Sequence, residues 1–420
     1  MSGDVRCADA VGDWFAVPGL LARFVEDLVH DELQQLRPAG GTVALRPWAT
    51  DLRVDEGGLE LDSLERLAIA GALAQALHLH ESGIEDLLLA RRHFGEWIDV
   101  CRLGLAHFSA RLTFRTSGSA GTPKPCTHAL IDLHEEVAHL GTLLADTRRV
   151  VCAVPAHHIY GFLFTVLLPA RLGVSVVDAR LVAPQALPRL LAPGDVLISH
   201  PAHWSMVARY ASALPAEVTG VTSTAPCPPT LAGMLTSGKG GLRRLLQIYG
   251  SSETAGIGWR EGPTEAYQLM PHWARHGADE ATLTRTGSDG VARIIRLQDR
   301  LGWQSNRRFA VLGRIDGAVQ VNGINVFPEH VRDVLLQHPG VADAAVRLMA
   351  PHETEGLKAY VVARAGVDVP ALLGDLKSWM QARLPAPARP KSYRFGDALP
   401  VNALGKPCDW PLESVPVWRG

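Results

Sequence analysis

Apolar residues recur at helical spacing through the first quarter of the chain. The runs LLARFVEDLVHDELQQL and LERLAIAGALAQALHL place them three and four residues apart, which predicts amphipathic helices in a largely helical segment, residues 1–110. From 111 to 315 short β-branched runs alternate with helical stretches. RRVVCAVPA, GVSVVDA and DVLISH read as buried strands, each followed by a helix, and this alternation predicts an α/β sheet covered by helices. From 316 to 420 the pattern restarts as a small α+β unit. AVQVNGINVF reads as a strand or hairpin, PEHVRDVLLQH as a helix opened by Pro328, AAVRLMA and KAYVVARAG as strands, and VPALLGDLKSWMQARL as a helix. The Pro-rich, basic stretch LPAPARPKSYRF predicts an extended surface segment.

Composition narrows the class. A chain of 420 residues exceeds what one core usually organises, so a large N-terminal α/β domain with layered sheets and helices, plus a small C-terminal α+β domain, is the expected architecture. The formal net charge of −2 gives no electrostatic reason to expect nucleic acid or an anionic membrane as partner. Six cysteines lie far apart without a CxxC pair, so neither a zinc site nor a disulfide framework is indicated, and a reduced, cytoplasmic setting fits. The N-terminus, MSGDVRCADAVGDW, lacks the basic and apolar regions of a signal peptide. The most apolar stretch, Gly161 to Val177, is broken by Pro169, Arg171 and Gly173. It reads as a buried helix and strand rather than the roughly 20-residue span a bilayer needs.

Two segments carry candidate chemistry. The first, Thr113-Phe-Arg-Thr-Ser-Gly-Ser-Ala-Gly-Thr-Pro-Lys124, crowds hydroxyls and glycines before a lysine. Glycine lets backbone N–H groups approach a phosphate, hydroxyls add donors and lysine adds charge. Taken alone the run also suits a solvated Ser/Gly loop, and it is not a Walker loop, because GxxxxGK[ST] is absent from the chain. The second, Gln247-Ile-Tyr-Gly-Ser-Ser-Glu253-Thr, takes a strand into a Tyr-Gly turn, then hydroxyls, then a carboxylate. A ring to stack on a base, a hydroxyl for a phosphate and a carboxylate for Mg²⁺ suit a nucleotide, although any turn before a helix has similar composition.

Together the two segments resemble the adenylate-forming superfamily of acyl-CoA synthetases, adenylation domains and luciferases. Its [ST][ST]G[ST]TGxPK loop matches Thr116 to Lys124 apart from Ala120, and its YGxTE turn matches Tyr249 to Glu253 with Ser252 in the threonine position. Asp299 lies fifteen residues before Arg314, the family's spacing of ribose-binding residues. Gly313-Arg-Ile-Asp316 matches the inter-domain hinge, and Leu399-Pro-Val-Asn-Ala-Leu-Gly-Lys406 resembles the catalytic-lysine segment. Compact size and NGINVFP are most similar to the phenylacetate-CoA ligase and aryl-acid AMP ligase branches. The usual TGD triplet is Leu297-Gln-Asp299 here, and Gln320 replaces a lysine common after the hinge.

The resemblance implies ATP-dependent conversion of a carboxylic acid, most simply an aromatic one such as a hydroxybenzoate or cinnamate, to an acyl-AMP, then transfer to the thiol of CoA. It implies Lys406 at the carboxylate and α-phosphate, Glu253 on Mg²⁺, and Asp299 with Arg314 on the ribose. Thr116, Ser117, Gly118, Ser119, Gly121, Thr122 and Lys124 hold the departing pyrophosphate in this reading. Tyr249, Gly250, Ser251 and Ser252, with Thr224 and Ala225 of Ser223-Thr-Ala-Pro226, border the nucleotide. His158, in Val154-Pro-Ala-His-His-Ile-Tyr-Gly161, is the pocket residue, and Tyr249, His158 and Trp259 suit a flat acid. Asp316 is the hinge about which the small domain rotates between half-reactions. Leu61-Asp-Ser-Leu-Glu-Arg-Leu resembles an acyl carrier protein around its phosphopantetheine serine, with Ser63 as the candidate; an Asp-Ser pair opening an ordinary helix is the alternative. Two other functions stay open: an aryl-acid AMP ligase loading the phosphopantetheine of an acyl carrier protein, and a non-catalytic acyl- or nucleotide-binding relative.

Overall fold

The first helical run buries one face. Helix α1 (Leu20–Leu36) follows Gly19, whose φ of 81° turns the chain in, and it covers Leu21, Phe24, Val25, Leu28 and Leu33. Helix α2 (Ser63–Leu77) opens on a capping box: the Asp62 carboxylate accepts from the Leu64 and Glu65 N–H groups, and the Asp62 N–H donates to Glu65. Helices α3 (Leu87–Ala90) and α4 (Phe94–His107) complete this segment. Strands β1 (Arg111–Arg115) and β2 (Pro125–Ala129) form an antiparallel hairpin, followed by helix α5 (Leu130–Leu143). The rings of Trp14, Phe24, Phe114 and Phe162 lock these elements together, with neighbouring centroids 5.0 to 6.4 Å apart. The computed structural model describes residues 13–37, 46–116, 124–238, 240–287, 289–350, 353, 356–400, 408–410 and 412.

The alternating region forms a sheet. In chain order come β3 (Arg149–Cys152), α6 (Ile159–Phe162), α7 (Leu168–Leu172), β4 (Ser175–Asp178), α8 (Leu187–Leu190) and β5 (Asp195–Ser199). Then follow α9 (Pro201–Tyr210), β6 (Thr219–Thr222), α10 (Pro229–Thr236) and β7 (Arg244–Ser251). The five strands pair in parallel in the order β4-β3-β5-β6-β7. Every residue of β5 and β6 is buried, because both faces are covered. Strand β4, expected to be buried, is instead the edge strand, and Ser175 and Asp178 face outward. Antiparallel strands β8 (Ala255–Arg260) and β9 (Tyr267–Leu269) continue the sheet beyond β7. Strands β10 (Trp273–Arg275), β11 (Thr282–Thr286) and β12 (Ala292–Arg296) form a separate antiparallel sheet. The hairpin of β13 (Asp299–Trp303) and β14 (Arg308–Arg314) adds to the main sheet through β9 and carries the chain from one compact unit to the next. One unit contains the described residues up to 297 with 302–310; the other contains 298–301 and those from 311 on.

The second unit has its own core. Strands β15 (Val319–Val321) and β16 (Ile324–Val326) form a tight hairpin, followed by α11 (Pro328–Leu336). Strands β17 (Val341–Leu348) and β18 (Leu357–Ala363) pair antiparallel, and helix α12 (Val369–Arg383) packs Leu372, Leu376 and Met380 into the core of Val331, Leu335 and Val361. The Pro-rich stretch corrects the sequence expectation. Residues Pro390–Phe395 form strand β19, parallel to β18, rather than a surface segment. Pro390 takes the first position of the strand, where a missing N–H is tolerated, and the alternation of Tyr393 with Phe395 packs both rings on the core.

Candidate active site

The carboxyl ends of parallel strands place three of the candidate segments. Residues 153–158 leave β3, Ser223 to Pro226 leave β6, and Tyr249 to Glu253 lie at the end of β7. Loops at these strand ends are where an open α/β sheet holds its ligands, because the backbone there is not committed to the ladder. The Ser223 hydroxyl donates to the carbonyl of Ile248 at 3.0 Å, tying the β6 loop to the strand that delivers Tyr249. Thr224 holds a φ of 75°, and its neighbour Ala225 is half-buried.

The YGSSE segment is the tip of a β-hairpin between β7 and β8, not a turn leading to a helix. A bulge falls between Tyr249 and Gly250, and a Cβ at Gly250 would lie 2.1 Å from the carbonyl oxygen of Ala255, so only glycine fits. The Ser251 N–H donates to the Thr254 hydroxyl at 3.1 Å, and Glu253 stands exposed at the tip. The carbonyl of Ser252 accepts from His128 Nε2 at 2.7 Å. Burial holds the His128 imidazole below its usual pKa, so the neutral ring donates through Nε2. His128 sits on β2, which emerges from the Ser/Gly loop, so this bond joins the two principal motifs. The ends of that loop are tied to each other: the Thr116 N–H donates to the Lys124 carbonyl, and the Lys124 N–H to the Thr116 hydroxyl, each at 3.0 Å. Ser117, Gly118, Ser119, Gly121 and Thr122 lie outside the described residues, as does Lys406.

Carboxylates of α1 hold the histidine loop. Asp27, fully buried, accepts from the Ala156 N–H at 2.6 Å and pairs with Arg46 at 2.5 Å and with Arg180. Asp31 lies 3.5 Å from His157, whose ring centroid is 4.1 Å from that of His158. Burial, the largest single influence, would raise the Asp31 pKa, but His157, His158 and the Gln35 hydrogen bond together hold the carboxyl below its usual value. Loss of solvation, aided by His157, pushes the His158 ring down to about 4, so it is neutral at neutral pH.

The aromatic set proposed from sequence is divided. Tyr249 packs against Tyr267 and Phe309 at 5.7 and 5.6 Å. Trp259 stands opposite Ile248 in the β7–β8 register, which places it on the other face of the sheet, where it meets His139 of α5. Trp259 therefore does not share a wall with Tyr249.

Asp299 and Arg314 come together. The Ile315 N–H donates to the Gln298 carbonyl at 2.7 Å, so Asp299 at the start of β13 faces Arg314 at the end of β14. The Arg314 guanidinium also forks onto Asp316 at 2.8 and 2.5 Å, which pulls the Asp316 carboxyl below its usual pKa. Gly317 follows with a φ of 72°.

Comparison with known proteins decides the family. Residues 112–278 match the AMP-binding enzyme model, and residues 330–406 match the AMP-binding enzyme C-terminal domain. The chain is 39% identical over 386 residues to a 4-coumarate–CoA ligase of Halorhodospira halophila, spanning 91% of this chain and 97% of that protein. It is 41% identical over 372 residues to the 4-coumarate–CoA ligase of Rhodobacter capsulatus, spanning 86% and 92%. The chain belongs to the AMP-binding, adenylate-forming enzymes. The fold agrees: an amide bond synthetase of Marinactinospora thermotolerans superposes with a TM-score of 0.55 at 18% identity, spanning 92% of each chain. An o-succinylbenzoate CoA synthetase of Bacillus subtilis gives 0.53 at 19%, spanning 70% and 67%. This AMP-binding enzyme is an acid–thiol ligase that uses ATP. Among its described residues no helix is long and apolar enough to cross a membrane. Sequence reasoning overlooked three side chains around its candidate site, Asp27, Asp31 and His128. The one available signal was the set of acidic residues within the apolar run of α1, where Glu26, Asp27 and Glu32 are buried.

Proposed function

We propose that this enzyme joins a cinnamate- or benzoate-type acid to coenzyme A through an acyl-adenylate. The observation that carries the reading is the likeness to the 4-coumarate–CoA ligases, which extends over nearly the whole length of both proteins. A carboxylate oxygen of the acid attacks the α-phosphorus of ATP and pyrophosphate leaves. The sulfur of CoA then attacks the acyl carbon, and AMP departs with the oxygen it gained. Charge builds on phosphate oxygens in the first step, so catalysis is positioning and electrostatic stabilisation.

Lys406 supplies positive charge at the α-phosphate and the incoming carboxylate. Asp299 and Arg314 take the ribose hydroxyls, supported by their facing positions on β13 and β14. Lys124 and Thr116, at the tied ends of the Ser/Gly loop, hold the leaving pyrophosphate with the loop itself. Tyr249 to Ser252, with Thr224 and Ala225, border the nucleotide. Glu253 would hold Mg²⁺: its exposed carboxylate is the hard oxygen donor that ion prefers, and the ion would neutralise phosphate charge. His158 lines the acid pocket as a neutral ring. Asp316 is the hinge of the two-step cycle, between a core of residues 111–315 and a mobile domain of 316–420.

The test is acid-dependent pyrophosphate release and thioester formation, with and without CoA, across 4-coumarate, cinnamate, benzoate, octanoate and longer fatty acids. A higher kcat/KM for the aryl acids, with thioester formed only when CoA is present, is the expected result. Faster turnover of octanoate or longer acids than of every aryl acid overturns the substrate assignment.

A further inference from the structure

The second unit contains a lysine with no place in the chemistry above. Lys358 lies in the middle strand of the β17-β18-β19 sheet and is 0% exposed. Its ammonium is 2.9 Å from both carboxylate oxygens of Glu353, 3.1 Å from Asp409 and 2.7 Å from the carbonyl of Trp410. These partners use all three N–H donors of the ammonium. The Trp410 ring, 3% exposed, lies 5.4 Å from the same nitrogen and packs edge-on against Tyr360 at 5.5 Å. Glu353 in turn accepts from the N–H groups of Ala350 and Leu412 at 2.8 and 3.2 Å. The Lys358 hydrogen bond draws the Glu353 carboxyl down to about 2, so this carboxylate is ionised at every working pH. One buried ammonium thus joins the loop after β17 to residues 408–410, far along the chain.

A buried ion pair of this kind is a poor source of stability, because desolvation offsets most of the attraction. Its effect is geometric. Lys406 precedes Asp409 by three residues, a stretch of chain that spans at most about 11 Å when fully extended. On the other side the Cys408 N–H donates to the Pro400 carbonyl at 3.0 Å. We infer that Lys358 is a positioning residue for adenylate formation: through Glu353, Asp409 and Trp410 it fixes the root from which Lys406 reaches the reacting phosphate. This rests on the reading that Lys406 acts in that step.

The experiment measures the two half-reactions separately in wild type, Lys358→Met, Lys406→Ala and the double variant. The first is pyrophosphate release in one turnover; the second is thioester formation from supplied acyl-adenylate. Methionine keeps the length and apolar stem of the side chain and removes its charge. Lys358→Met should slow adenylation by about 10- to 100-fold, the scale of a small misplacement of a catalytic group. KM for ATP and acid, and the thiol half-reaction, should stay within about twofold. In the Lys406→Ala background the same change should add nothing, because the group it positions is gone. The inference is overturned if Lys358→Met adenylates at the wild-type rate, slows both half-reactions alike, or multiplies the loss in the double variant. Normal adenylation by Lys406→Ala alone overturns the reading of Lys406 instead, and the role of Lys358 falls with it. If Lys358→Met does not fold, judged by its thermal transition, Asp409→Asn carries the same four-way comparison, since that side chain is half exposed.

Discussion

Glu136 shows how one side chain responds to its surroundings. It sits in α5, 1% exposed, with both carboxylate oxygens 3.0 Å from the N–H of Gly256 beneath the β7–β8 hairpin. Burial pushes its pKa up to about 8, against the opposing pull of the Gly256 N–H and of Arg285. A pKa raised on folding means that the folded state binds the proton more tightly. The associated stability is complete below the usual 4.5 and is lost as pH rises towards 8. One group shifted in this way costs about 1.4 kcal/mol for each pH unit within that window. Glu136→Gln keeps the shape and an acceptor for Gly256 without the titration. Urea unfolding from pH 5 to 7.5 should therefore show wild type losing stability relative to the variant by roughly that slope. Parallel curves would mean that Glu136 stays ionised in its site. His158, lowered to about 4, differs in consequence: no inflection from it is expected in the rate profile between pH 5 and 8.

At the scale of elements, α1 does more than cover the core. Asp27 pins the loop leaving β3 through the Ala156 N–H, and it is the shared acceptor of Arg46 and Arg180. Asp27→Ala leaves two guanidinium groups largely buried with one carboxylate fewer, a lesion that costs about 3–5 kcal/mol. Urea unfolding at pH 7 measures it, and a loss under about 1 kcal/mol would show that the remaining acids compensate. This contact spans 129 residues, and no local pattern announces it. What was legible in the sequence had a period or a motif. The 3.6-residue spacing marked α1 and α2, the β-branched runs marked β3 and β5, and the YGSSE segment marked the turn at the end of β7. What was hidden depended on partners distant in sequence. Strand β19 was obscured by Pro385, Pro387 and Pro390, since its strand character comes from pairing with β18. The face occupied by Trp259 follows from its register against Ile248, which spacing within one segment does not reveal.

For the whole molecule the central demand is that one enzyme performs two different transfers. Enclosing an adenylate and admitting a thiol are competing requirements, and a hinge meets both by absorbing backbone rotation at few residues. Asp316 is held by Arg314 and precedes Gly317, whose positive φ of 72° favours glycine. Asp316→Pro should leave pyrophosphate release largely intact while slowing thioester accumulation strongly. Equal losses in both, or in neither, would move the hinge elsewhere. Beneath this lies the claim that the acid is activated by transfer to AMP, and it can be followed by an atom. With 4-coumarate labelled by ¹⁸O in its carboxylate, supplied with ATP and CoA, the released AMP should carry one labelled oxygen for each thioester formed. Label in inorganic phosphate, or unlabelled AMP alongside thioester, would contradict the account.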